Sequence, residues 1–338
     1  IESCMIDTQF RQFGCIERLL LGSLVAYAVA GSSVFPSTRT QAEEISASRP
    51  WYVGGDVSAL PLREKMGAVF RNAQGQPGDA LDILREHGAN CFRVRLFVAP
   101  NGKGHVVNDL EYTLALAQRI QASGASLLLD FHYSDTWADP GRQEVPSAWR
   151  RLSHEELILQ VEQYTRETIQ AFLAAGTPPQ MVQIGNEIDN GFLTTHQQIW
   201  SDSRAGWQKF AQLFQAGVRG VRGVESEDQP IPVIFHSATG GKVGHTRSLM
   251  KKLVEYGVSY DIHGLSYYPW WHRDLDGLKQ SIDRLVTEFD KDVLLVEVAY
   301  PWKLPHPQSK LRDGISDWET TPKGQAAFLR DVSRTIFA

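Results

Sequence analysis

The sequence predicts an α/β protein, a (β/α)8 TIM barrel in which a ring of parallel strands is wrapped by helices. Three observations predict it. From Trp51 onward, short apolar runs rich in β-branched residues alternate with longer stretches of helical period. Polar residues, two glutamates among them, close several of those runs, as they do where barrel strands end at a catalytic face. The first run, Val53-Gly54-Gly55-Asp56-Val57, lacks the glycine spacing of the phosphate turn that an open, doubly wound sheet normally carries.

Taken in order, the chain opens with residues 1–30, read as a signal peptide. Its core is the apolar run LLLGSLVAYAVA (19–30), preceded by Arg18 and closed by the small residues Ala28-Val29-Ala30. The run is too short to span a bilayer comfortably. A secreted protein, extracellular or periplasmic, with no membrane attachment after cleavage, is the expectation. Residues 31–50, rich in Ser, Thr, Ala and Glu, read as a linker, and residues 51–338 as the catalytic barrel.

Seven runs read as strands: 53–57, 91–97, 126–133, 181–187, 232–237, 261–268 and 293–299. Between them, Leu110, Leu114, Ala117 and Ile120 share one helical face, as do Leu275, Leu278, Ile282, Leu285 and Phe289. Ser153 followed by Glu156 predicts a capping box for a helix that Gly176, Pro178 and Pro179 end. The last stretch, GQAAFLRDVSRTIF (324–337), reads as the helix after the seventh strand. A barrel needs eight strands to close. The eighth βα unit is therefore expected to be missing here, and Ile1 in place of an initiator methionine also reads as a fragment. A further aromatic-rich strand is expected within about thirty residues beyond Ala338, from the usual length of a βα unit.

Composition narrows the function. The 338 residues carry 34 basic and 39 acidic side chains, with no basic block to follow a phosphate backbone, so nucleic acid is not an expected partner. Cys4, Cys15 and Cys91 are too few and too scattered for a disulfide framework or a zinc site. Gly240-Gly241-Lys242-Val243 lacks the Ser or Thr of a phosphate loop, and His154-Glu155-Glu156 lacks a second histidine at position 158. No metal and no cofactor are expected. A neutral or mildly polar substrate fits these numbers, and a monomer is the expectation.

The chemistry is expected at the strand ends. Met181-Val182-Gln183-Ile184-Gly185-Asn186-Glu187 and Val293-Leu294-Leu295-Val296-Glu297 each close on a carboxylate. Such a group is costly to desolvate, so it is either paired with a cation or kept for work. On the fourth and seventh strands the two form a candidate pair for glycoside hydrolysis, one protonating the leaving oxygen and the other attacking the anomeric carbon. Arg95, His132, His236, Tyr267 and Tyr268 close other strands on the same face. An arginine and a tyrosine beside one carboxylate would keep it ionised, while a more apolar site would raise the other. Trp137, Trp270, Trp271 and Trp302 follow strand ends and offer flat surfaces for sugar rings.

At these residues the chain resembles glycoside hydrolase family 53, the endo-β-1,4-galactanases. The likeness rests on LDFHYSDTWADP (129–140), Gly185-Asn186-Glu187, LSYYP (265–269) and VEVAYPW (296–302), with GGDVS (54–58) and Arg93-Val94-Arg95 in support. The resemblance implies a barrel with its acid/base, Glu187, after strand four and its nucleophile, Glu297, after strand seven. It implies that Asn186 holds the sugar's 2-hydroxyl and that Arg95 and a strand-six tyrosine steady Glu297. Asp56, His132, Asp135, Trp137, Asp139 and Trp302 would meet substrate, a β-1,4-galactan. The family's eighth strand, with its aromatic floor, has no counterpart in these residues, nor has the calcium site that some members build beyond it. Two other readings stay open at this point: a mannanase or cellulase of the same clan, and a non-catalytic galactan-binding remnant.

Overall fold

The computed structural model describes residues 24–26, 51–194, 199–201, 204–303 and 317–337. Seven parallel strands curl around the centre in chain order. They are β1 (Val53–Asp56), β2 (Cys91–Leu96), β3 (Ser126–Phe131), β4 (Met181–Ile184), β5 (Val233–Ser237), β6 (Ile262–Tyr267) and β7 (Asp292–Val298). Sequential order is what results when each crossover returns beside the strand it left. The largest difference from the expected bounds is at 181–187, where the strand stops at Ile184. Gly185 takes φ +77° and Glu187 φ +49°, and left-handed backbone cannot prolong a strand. A Cβ at Gly185 would also meet Ile188 Cγ2 at 2.6 Å.

Each strand is followed by an outer helix: α1 (Ala80–Glu86), α2 (Leu110–Ala122), α3 (His154–Ala174), α4 (Arg204–Arg222), α5 (Val243–Glu255), α6 (Leu275–Thr287) and α7 (Pro322–Ile336). Asp79, Asp109 and Asp274 cap three of them through a side-chain oxygen that accepts a first-turn N–H. The capping box at α3 forms in both directions, with Ser153 and Glu156 each bonded to the other's backbone. Helices α3 and α4 approach closely because α4 carries Gly220, where a Cβ would sit 2.6 Å from Thr165 Cβ and 2.7 Å from the Glu162 carbonyl oxygen.

Strand alternation divides the apolar core in two. Outward residues such as Phe92, Val94, Phe131, Ile184, Phe235 and Leu265 pack with the helices in one large cluster. Inward residues Cys91, Leu128, Met181, Ile234, Ile262, Leu294 and Val296 form a separate floor inside the barrel. Each large side chain so buried contributes on the order of 1.5–3 kcal/mol. Burial pushes the Cys91 thiol far up, which keeps it inert.

The expected signal peptide and linker lie outside the described residues apart from Leu24–Ala26. That segment pairs antiparallel with β1, Val25 opposite Gly54, and lies beside β7 as well. It lies on the outer edge of β1, the first of the parallel strands in the sheet order. Among the described residues no helix is long and apolar enough to cross a membrane.

Candidate active site

Above the apolar floor, the inward side chains turn polar toward the strands' C-terminal ends. Asp56 on β1, Arg93 on β2, Asp130 on β3, Gln183 on β4 and His236 on β5 are all buried or nearly so, and they bond to one another. Arg93 is the hub. Its guanidinium lies 3.1 Å from Asp56 Oδ2, 2.8 Å from Asp130 Oδ2 and 3.1 Å from Glu297 Oε1. It also donates to Asn186 Oδ1 at 2.7 Å and to Gln183 Oε1 at 3.3 Å. A planar, always charged fork is the side chain suited to several acceptors at once.

Glu187 sits in the turn after β4 and is 9% exposed. The turn is held by Gln143, whose amide nitrogen donates to the carbonyls of Asn186 and Glu187 at 2.8 and 3.3 Å. Glu187 Oε1 accepts from the Ser266 hydroxyl at 2.6 Å. Among the described residues no cation is bonded to it. Burial, and then the charge of Glu297, hold its carboxyl well above the ordinary glutamate range.

Glu297 reaches the same space from β7 by an irregularity. Leu295 pairs with Leu265, but the next pair is Glu297 with Ser266, so Val296 is an extra residue. This bulge lets Val296 stay on the floor while Glu297 also faces inward. Glu297 is thus paired across the sheet with the residue whose hydroxyl bonds Glu187. Its Oε2 accepts from the Tyr268 hydroxyl at 2.7 Å, opposite Arg93 on Oε1. Burial, then Glu297 and Glu187, push the Tyr268 phenol well up, so it stays a donor. Burial, then Arg93, hold His236 well below its ordinary range, so its ring is neutral.

The structure brings Glu187, Glu297, Asn186, His236 and Tyr268 into one bonded set. Two expectations need correction. The guanidinium on Glu297 is that of Arg93; Arg95, one inward position further along β2, instead bonds Asp56 Oδ1 at 2.8 Å and lies 4.0 Å above the Trp137 ring. Tyr267 points away from the site: it is fully buried, stacks on Phe328 of α7 and donates to the Arg273 carbonyl. Its neighbours Ser266 and Tyr268 face the site because strand side chains alternate. Asp56, expected against substrate, has one oxygen on each of two arginines. Burial alone would raise Asp56, but Arg95 and then Arg93 reverse this and bring it down to about 2.

The loop residues lie at the mouth. His132 is buried, its Nε2 3.1 Å from Asp130 and its Nδ1 accepting from the Ala138 amide. Asp135 ties the loop through the Ala99 amide and Ser147, and Asp139 accepts from the Gly141 amide. Trp137 is 39% and Trp271 51% exposed, Trp271 edge-on to Tyr268, while Trp302 is half-buried in the turn after β7. Arg93, Asp130, Gln183 and Ser266 were not expected as site residues. Counting back by two from Arg95 and His132 would have found the first two, since they share the inward face. Among the described residues no group of three or more His, Cys, Asp or Glu side chains is placed to hold a metal ion.

Comparison with known proteins agrees with this geometry. Residues 52–338 match the model for glycosyl hydrolase family 53. The chain is 32% identical over 300 residues to an endo-β-1,4-galactanase of Bacillus subtilis, covering 84% of this chain and 66% of that protein. It is 33% identical to a probable arabinogalactan endo-β-1,4-galactanase A of Aspergillus terreus, over 84% of this chain and 81% of the relative. Among solved structures, the family 53 catalytic domain of Ignisphaera aggregans superposes with a TM-score of 0.74 at 33% identity, covering 83% of this chain and 79% of that one. A structure from a study of two fungal β-1,4-galactanases gives 0.73 at 28% identity, over 83% of both chains. The carboxylate pair, the seven parallel strands and these likenesses lead to one assignment: the chain belongs to glycosyl hydrolase family 53 and is a glycoside hydrolase.

Proposed function

We propose that this chain cleaves internal β-1,4-galactosidic bonds of (arabino)galactan by double displacement with retention, Glu187 serving as acid/base and Glu297 as nucleophile. The observation that carries the reading is the unequal treatment of two carboxylates in one site. Glu297 is bonded to a guanidinium and a phenol, which hold and orient its two oxygens. Burial, and then the charge of Glu297, favour the proton on Glu187, against the smaller opposing pull of the Ser266 hydroxyl. Protonated Glu187 donates to the departing oxygen while Glu297 bonds the anomeric carbon; Glu187 then takes a proton from the water that displaces Glu297. The substrate class rests on the family and on the printed activities of its relatives.

Asn186 gives one amide hydrogen to the Ala138 carbonyl, and its second is the group for the sugar's 2-hydroxyl. Trp137, Trp302 and the exposed Trp271 supply ring faces for neighbouring sugars. Reducing-end release from galactan, set beside mannan and cellulose, tests the substrate; equal rates on all three would remove galactan specificity. Proton NMR of the first product tests the stereochemistry, and an α anomer appearing first would exclude retention. Replacing Glu297 by Gln is expected to abolish turnover and leave oligosaccharide binding measurable. The apolar run 19–30 supports export, tested by the N-terminus of protein recovered from medium, and an uncleaved run would count against it; the mass of that protein in solution tests the expected monomer.

A further inference from the structure

One oxygen of Glu187 is held by a chain of hydrogen bonds through two fully buried polar residues on neighbouring strands. Ser266 Oγ on β6 lies 2.6 Å from Glu187 Oε1, and His236 Nε2 on β5 lies 2.9 Å from Ser266 Oγ. The other imidazole nitrogen, Nδ1, accepts the backbone N–H of Glu187 at 3.2 Å. A backbone N–H can only donate, so Nδ1 carries no hydrogen and the neutral ring's proton is on Nε2. Asn186 Oδ1, 3.0 Å from the same Nδ1, takes its hydrogen from Arg93 Nη2 at 2.7 Å instead. With Nε2–H given to Ser266 Oγ, the serine's own hydrogen goes to Glu187 Oε1. The chain therefore runs one way, from the Glu187 amide through His236 and Ser266 back to the Glu187 side chain.

Building on the reading of Glu187 as acid/base, we infer that Ser266 and His236 are positioning residues that commit Oε1 as a standing acceptor, leaving the transferable proton to Oε2. In the first step the Oε2 proton passes to the departing oxygen, and Ser266 steadies the carboxylate left behind. In the second, Oε2 takes a proton from the attacking water as its oxygen joins the anomeric carbon. Ser266 and His236 keep their hydrogens throughout. The device has a purpose here because the surroundings oppose that anion: Glu297 on β7, Asp189 in the same turn and Asp139 in the loop after β3 all face Glu187. The Ser266 hydroxyl pulls the Glu187 carboxyl down, against burial and these charges. Burial, and then the charges of Arg93 on β2, His263 on β6, His132 on β3 and His272 beyond β6, keep His236 neutral.

The pH profile of kcat/KM on galacto-oligosaccharides tests the inference. Ser266→Ala is expected to move the basic limb up by about one pH unit, as for loss of one bond to a charged acceptor. Ser266→Thr, which keeps a hydroxyl, should restore the limb, and His236→Gln should move it the same way by less. A uniform loss of rate with an unmoved limb in Ser266→Ala would overturn the inference. Nitrogen NMR of the unaltered protein reads the tautomer without any variant: Nε2 protonated is expected, and a proton on Nδ1 would overturn it. Glu187→Ala, assayed on an activated aryl galacto-oligoside, should lose the basic limb altogether. If that limb persists, the acid/base reading itself fails; if it vanishes while Ser266→Ala leaves it in place, only the positioning role fails.

Discussion

Replacing Arg93 by methionine would keep most of the side-chain volume while removing the cation that faces three carboxylates inside the barrel. The side chains of Asp56, Asp130 and Glu297 are 7%, 0% and 15% exposed, so water cannot take the place of the guanidinium. Breaking a buried pair from one side typically costs about 3–5 kcal/mol. Arg95 still reaches Asp56 at 2.8 Å, which places the loss toward the lower end, about 3 kcal/mol. Against a total stability of roughly 5–15 kcal/mol, this should lower the melting temperature by something on the order of 10 °C. The loss should depend on pH. Asp56 falls to about 2 in the folded protein, below its unfolded value of about 3.9, so its stabilisation is present above that value and lost as pH falls through about 2. Without Arg93 the Asp56 carboxyl loses one of the two cations that hold it down, so the gap to the unaltered protein should narrow as pH falls from about 3.9 toward about 2. Melting followed by circular dichroism at about pH 7 and about pH 3 decides it. A loss under about 1 kcal/mol, or a gap that does not change with pH, would refute Arg93 as the buried counter-cation.

Other outcomes follow from the same contacts. Tyr268→Phe removes the 2.7 Å donor to Glu297 and should lower kcat/KM by about 10- to 100-fold, the worth of one bond to a charged acceptor; steady-state rates equal to the parent would dismiss the contact. Glu187→Gln should melt at a higher temperature than the parent near neutral pH. The folded carboxyl is raised, so the parent has its full stability below the unfolded value of about 4.3 and loses it as pH rises through the folded one. The difference should therefore close in acid, and an equal or lower melting temperature at pH 7 would contradict the burial argument. Gly220→Ala pits about 1 kcal/mol of helix propensity against a Cβ that would press on Thr165 and on a carbonyl at 2.7 Å. Overpacking at about 1–3 kcal/mol should win because a backbone oxygen cannot step aside, and a stabilised variant in a denaturant titration would show otherwise.

Reading the strand ends located both carboxylates and named one tyrosine too many, while the resemblance implied Arg95 where Arg93 is bonded to Glu297. The tyrosine was legible in principle. Ser266, Tyr267 and Tyr268 alternate across the sheet, and the outward member is fixed once Leu265 is known to face the helices. The arginines could not be separated this way, because Arg93 and Arg95 share a face and differ only in height above the floor. Ser266 gave no signal at all, since a serine inside a strand is ordinary until a carboxylate is seen 2.6 Å away.

Period and end signals are properties of a few neighbouring residues, which is why the seven strands, the outer helices and the Ser153 capping box could be read along the chain. Two features of the site could not, because they depend on residues far apart meeting in a fixed register. The extra residue Val296, which turns Glu297 inward opposite Ser266, is visible only against the pairing of β7 with β6. The unequal environments of Glu187 and Glu297 likewise exist only once Arg93 arrives from β2, and Ser266 and Tyr268 from β6 and the turn beyond it. A carboxylate's proton affinity is set by what surrounds it in space.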